Sequence, residues 1–211
     1  MVNETHIRRI DDACAQALSV IGFKTRKRGI LTFDIVDGFQ GWIGLNTATR
    51  ESPAAMYVNP MIGVRADAIQ SIIARVNREK PHSYVPATIT RNLGYFMPDQ
   101  QFASYEFPYS EDASDRAAKM AQDVQKFGLP FMIENASISR IIGLVPSYAI
   151  WEDASERLLV AHYVDGKDRR FLLDFIENRV GSGKIEKRLW QRFDAFATSF
   201  QQQFLDNDKP E

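Results

Sequence analysis

The apolar residues of this chain change period twice, and that change constrains the fold more than any single motif. Ile7, Ile10, Cys14, Leu18 and Ile21 recur at steps of three and four, the spacing of one helix face. From Leu31 the step falls to two. Leu31, Phe33 and Ile35 alternate with polar partners, Asp37-Gly38 marks a turn, and Trp42-Ile-Gly-Leu45 resumes the pattern, which reads as a β-hairpin. Met56 to Val64 alternates again. After Pro130 the period of two does not return, and Ile185, Leu189, Phe193, Phe196, Phe200 and Phe204 make the most regular helical stripe, a docking face against the rest of the protein. The order predicts an α+β fold: an antiparallel sheet of about five strands with helices on one face over residues 1–128, then an all-helical region over 129–211 packed on it, as a second domain or as part of one.

Local signals place the boundaries. Asn3 caps the first helix and Gly22 stops it, which puts Cys14 on the buried stripe as a structural thiol. Pro60 marks the strand over Met56–Val64 as an edge or a bulge. Ile69, Ile72, Ile73 and Val76 form a short helical stripe, and Thr88–Phe96 and Phe102–Phe107 read as two further strands. Ser110 caps a helix with Glu111 and Asp112 in its first turn, ending near Gly128. Asp153-Ala-Ser-Glu156 resembles a capping box before Leu158, Leu159, Ala161 and His162. Asp165-Gly166 separates that helix from one over 168–179, and Gly181-Ser-Gly183 introduces the last.

Composition removes whole classes of function. With 211 residues, 45% hydrophobic and 25% charged, the chain is an ordinary globular sequence rather than a disordered or fibrous one. Its 26 Lys+Arg balance 27 Asp+Glu, and residues 1–128 and 129–211 are each close to neutral, which argues against a protein built to coat nucleic acid or an anionic membrane. A single cysteine forbids an intramolecular disulfide and any multi-cysteine metal site. The longest charge-free run, Ser52–Val64, has 13 residues and two prolines, against about 18–20 for a spanning helix. Together with a charged N-terminus, these features predict a cytoplasmic protein.

No catalytic motif is complete. His6, His82 and His162 are far apart in sequence and form no close ligand pair. Gly181-Ser-Gly-Lys184 has the end of a phosphate loop, but Asn178 and Ile185 stand where Gly and Ser/Thr belong. Gly38-Phe-Gln-Gly41 has the spacing of a nucleotide-clamping loop yet falls in a hairpin. Arg91-Asn-Leu-Gly-Tyr-Phe96 lacks the stacking aromatics of an RNA-binding strand. Lys24, Arg26, Lys27 and Arg28 form the densest charge run. They read either as a contact for phosphate or an acidic partner, or as the cationic end of a helix followed by a solvated turn.

The two faces of the sheet bear on function. With Leu31, Phe33, Ile35, Ile43 and Leu45 toward the helices, alternation turns Gln40, Trp42 and Asn46 to the other side; with Met56, Val58 and Ile62 inward, Tyr57, Asn59 and Met61 join them. Trp, Tyr and Met among amides is the composition of a protein interface, unless the C-terminal helices cover that face.

Leu18-Ser-Val-Ile-Gly-Phe-Lys24, a basic turn and Gly29-Ile-Leu-Thr-Phe33 together resemble a class of uncharacterised bacterial α+β domains associated with immunity and defence. That resemblance implies a partner protein rather than an enzyme. Glu156-Arg-Leu-Leu, Asp165-Gly166 and Phe171-Leu-Leu are similar to one helical hairpin of the tetratricopeptide kind, without a repeat. The expectation is therefore a non-enzymatic cytoplasmic bacterial protein that needs no cofactor or metal and binds another protein, to neutralise or assemble it. Trp42, Tyr57, Asn59 and Met61 would form the contact, with Lys24, Arg26, Lys27 and Arg28 as its rim. One alternative is a hydrolase or nuclease with an acidic site from separate strands, its candidates being Asp34, Asp99 and Glu106. Another is a nucleic-acid accessory protein using the basic run with Arg169 and Arg170, whose binding would fall steeply with salt.

Overall fold

A computed structural model describes residues 4–48, 54–148, 154–181 and 187–206. The chain forms two units, residues 1–65 with 90–136 and residues 66–89 with 137–211.

The first unit is a sheet with helices on one face. Helix α1 (Glu4–Val20) buries Ile10, Cys14 and Leu18 on the anticipated stripe. Gly22 ends it at φ +97°, with Phe23 N–H on the Leu18 carbonyl and Gly22 N–H on that of Ser19, the paired bonds of a left-handed helix stop. Strands β1 (Lys24–Lys27), β2 (Ile30–Val36), β3 (Phe39–Ala48), β4 (Ala55–Ala66), β5 (Ile89–Asn92) and β6 (Tyr105–Pro108) follow. They are ordered β1-β2-β3-β4-β5, with β6 also on β4. Leu31 pairs with Ile43 across the β2–β3 hairpin, and Met56 with Phe107 across β4–β6; all four are buried.

The α+β class and the antiparallel sheet stand as anticipated, but four local expectations do not. The basic run does not form a turn after α1; Lys24–Lys27 is edge strand β1, paired antiparallel to β2. An edge made of Lys and Arg discourages pairing with other chains. Of the edge or bulge expected from Pro60, the edge is ruled out, because β4 is flanked by β3, β5 and β6. The β6 register ends at Val58, before the residue that lacks an N–H.

The strand from Thr88 stops at Asn92, and Leu93–Phe96 is a 3₁₀ turn. The Asn92 side chain turns the chain there: its oxygen accepts from Gly94 N–H (3.0 Å) and Ala103 N–H (2.7 Å), and its nitrogen donates to the Ala103 carbonyl (3.0 Å). Helix α3 (Ser114–Asp123) begins beyond Ser110, where the Asp112 carboxylate accepts the Ser114 N–H. Nor does it stop at Gly128, since a π-turn over Val124–Gly128 continues into α4 (Leu129–Glu134). Gly128 is a packing residue seated on Ile62, and Pro130 lies in the first turn of α4, directly after the π-turn.

The second unit is helical: α2 (Asp67–Val76), α5 (Ile138–Tyr148), α6 (Ala154–Val164), α7 (Arg169–Gly181) and α8 (Lys187–Phe200), closed by a π-turn over Gln201–Leu205. Phe193, Phe196 and Phe200 are buried as anticipated, and Phe204 stacks on Phe200 with centroids 5.2 Å apart. The cap proposed at Asp153 and the first stripe residue, Ile185, lie outside the described residues, as does Asn3. Helix α2 starts where the Thr88 hydroxyl accepts Ala66 N–H (2.9 Å). It ends with Arg78 at φ +58° while Glu79 N–H reaches the Ala74 carbonyl. A non-glycine residue in that conformation costs about 1 kcal/mol. Arg78→Gly should therefore raise unfolding stability by roughly 0.5–1 kcal/mol in chemical denaturation.

His162 on α6 sits edge-on to Phe171 and Phe175, and its buried Nδ1 has no partner among the described residues. Burial, and then Lys167, hold its pKa below the usual 6.5, against a smaller opposing effect of Asp165. The unfolded chain thus takes up this proton at a higher pH than the folded one. Stability should be full above about pH 6.5 and decline as pH falls from there through the lowered folded value. His162→Phe should flatten that part of a stability–pH curve, measured by urea unfolding between pH 7.5 and 5.

Candidate binding face

The helices of the first unit meet the sheet on one face. A methyl at Gly41 would lie 2.7 Å from Met132 of α4, Gly128 lies against Ile62, and the Tyr105 hydroxyl donates to Asp123 of α3 (2.9 Å). At the end of α1, Gly22 lies against Phe33. Alternation then puts Thr32, Gln40, Trp42 and Gly44 on the opposite face, with Tyr57, Asn59 and Met61 of β4.

On that face Thr32 is opposite Trp42 in the register and fully buried. Gly44 follows Trp42 on the same side, and a methyl there would overlap the indole ring. The indole thus lies flat along its own strand in space that a glycine leaves open. Trp42, Tyr57, Asn59, Met61 and Gln40 are half-buried. The side-chain oxygens of Gln40 and Asn59 are buried and lack a hydrogen-bond partner among the described residues, a cost of about 1–3 kcal/mol each.

The basic run divides. Lys24 bonds the Asp34 carboxylate at 2.5 Å, and Arg26 donates to the Thr32 hydroxyl at 2.8 Å and approaches Asp34. These two side chains therefore continue the Trp42 face, and the Lys24 hydrogen bond draws the Asp34 pKa below the ordinary carboxylate value. Arg28 turns instead to Asp11 of α1. Lys27 is exposed on β1 beyond an irregularity in the β1–β2 register. Cys14 is fully buried, and burial, reinforced by Asp11, pushes its thiol pKa up to about 12, so it is an unreactive core residue.

The acidic candidates are dispersed. Asp34 is engaged by Lys24, Asp99 lies in the exposed segment after the 3₁₀ turn, and Glu106 is exposed opposite Tyr57. Among the described residues no three His, Cys, Asp or Glu are gathered to hold a metal, and no helix is long and apolar enough to cross a membrane. In the second unit, Arg169 bonds Asp206 (3.1 Å) and the Leu205 carbonyl, and Arg170 is exposed. The loop-like Gly181–Lys184 extends outside the described residues. His6 stacks on Tyr109, and His82 sits edge-on to Tyr84.

Sequence reasoning missed a cleft in the helical unit, floored by Gln70, Glu156 and Arg157. Residues Glu156–Ala161 of α6 are all buried. Two adjacent charges opening an otherwise apolar helical run were the available signal.

Gly44→Ala should push the Trp42 ring off the strand while the fold persists. The 5-fluorotryptophan resonance of Trp42 should then shift and broaden, with the far-ultraviolet circular dichroism unchanged. No family model, curated protein or solved structure matches this chain.

Proposed function

We propose that the chain is a non-enzymatic protein-binding module of the bacterial cytoplasm, and that it engages its partner through the Trp42 face of the sheet. The observation that carries this reading is the arrangement around Trp42. An indole laid on Gly44 shares its face with Tyr57 and Met61, beside two amides whose oxygens lack partners. Large, half-buried aromatic side chains of limited rotamer freedom are the residues that dominate binding energy at protein interfaces. Lys24 and Arg26 border the face, and Asp34 anchors both. Such a charged rim governs encounter rate and partner choice more than affinity. The resemblance of residues 18–33 to immunity-associated domains supports a role in neutralising or assembling that partner.

The test is capture of a partner by the tagged full chain from nuclease-treated extract of its host, followed by binding of the two purified proteins. Trp42→Ala combined with Tyr57→Ala should weaken that binary binding by about thirtyfold or more and leave a cooperative thermal transition. Loss of the transition would show that the face is core. Unchanged affinity would show that the partner binds elsewhere, and material recovered only without nuclease would favour the nucleic-acid reading.

A further inference from the structure

We propose that the cleft beneath the 77–86 segment of the helical unit is a binding site for a small anionic ligand bearing a phosphate or carboxylate group. The cleft encloses about 260 Å³, the scale of a small metabolite rather than of a peptide. Its floor holds three polar side chains that are at least nine-tenths buried: Gln70 (4% exposed), Glu156 (3%) and Arg157 (4%). Buried, hydrogen-bonded polar groups beneath an open space form a rigid recognition surface; apolar side chains would have closed the space without the cost of burying charge.

The orientation of these groups is fixed. Arg157 donates to the Ala87 carbonyl at 2.6 Å and to that of Thr88, and Gln70 donates to the Thr88 hydroxyl at 3.1 Å. Glu156 accepts from Arg192 of α8 on both oxygens, at 2.8 and 3.3 Å, so its charge is countered within the wall. The Arg192 side chain is nevertheless 45% exposed and lines the mouth. The left-handed turn at Arg78 carries the chain into the loop that supplies Lys80 and His82 to the same cleft, both exposed. The His82 Nδ1 accepts the Tyr84 N–H at 3.3 Å, which fixes the ring in the loop.

The balance of groups selects the ligand's sign. Lys80 and Arg157 are cationic, the Arg192–Glu156 pair is neutral as a whole, and Glu79 at the exposed rim is the other carboxylate of the described lining, which leaves one net positive charge. A guanidinium and an ammonium converging on a cleft with a preorganised polar floor suit the oxygens of a phosphate or carboxylate and would repel a cation. The Glu156–Arg192 pair accounts for joining α6 to α8, but it calls for neither an open cleft nor cations from a separate loop.

The experiment is isothermal titration of the full chain, at fixed ionic strength, with inorganic phosphate in one arm and succinate in the other, using chloride as the reference salt. Saturable binding of phosphate assigns a phosphate-bearing ligand, and saturable binding of succinate alone assigns a carboxylate. In either case Lys80→Ala combined with His82→Ala should weaken binding about tenfold or more while a cooperative thermal transition in chloride persists. Arg192→Lys, which keeps the charge but loses the paired geometry, should weaken it as well. The proposal is overturned if neither anion gives a saturable isotherm, or if the Lys80/His82 variant binds with wild-type affinity.

Discussion

The architecture of the first unit depends on how closely its helices approach one face of the sheet. Two glycines lie at that contact: Gly41 of β3 under Met132 of α4, and Gly128 against Ile62 of β4. A single methyl at Gly41 would overlap the methionine sulfur, so the buried Met132 side chain would have to shift. Close approach also fixes strand register, because a slip of one residue would turn the buried set of β4 to the other side. On the second face, Trp42 folded along its strand over Gly44 is the largest side chain.

The sequence was most legible where one signal governed. The stripe and glycine stop of α1, the hairpin around Asp37-Gly38 and the buried phenylalanines of α8 each follow from periodicity together with a turn residue. The face carrying Trp42, Tyr57, Asn59 and Met61 could be read as well, because alternation alone determines it. The failures share a physical cause, which is that tertiary partners overrode local propensity. Lys24–Lys27 is a strand only because Thr32 and Leu31 pair with it. Leu93–Phe96 looks extended, but Asn92 bonds both sides of Ala103 and draws the chain into a turn. Gly128 and Pro130 look like a helix end, yet the glycine is there for Ile62 and the proline lies in the first turn of α4, directly after the π-turn.

The helical unit shows a different limit. Its cleft depends on Gln70, Lys80, His82, Glu156, Arg157 and Arg192, spread over more than a hundred positions, and no spacing rule links residues so far apart. What joins them is the need of buried polar groups for partners: Arg157 holds the carbonyls that precede β5, while the Thr88 hydroxyl serves both the start of α2 and Gln70. The other end of α2 is tied in the same way, with the Val76 carbonyl accepting the Ser199 hydroxyl at 3.1 Å.

The end of α2 is thus held by a segment of the chain that comes much later, and its start by Thr88, whose own carbonyl awaits Arg157. As the polypeptide leaves the ribosome, residues 66–89 emerge before any of 137–211, to which they belong. Ile69, Ala74 and Val76 must therefore wait, exposed, through the synthesis of β5, β6, α3 and α4. A ten-residue helix is only marginally stable by itself in water, so this segment is an open hydrophobic liability during translation. Elongation speed through residues 90–200, and access of a chaperone to the nascent 66–89 segment, become determinants of how much correctly folded protein a cell obtains.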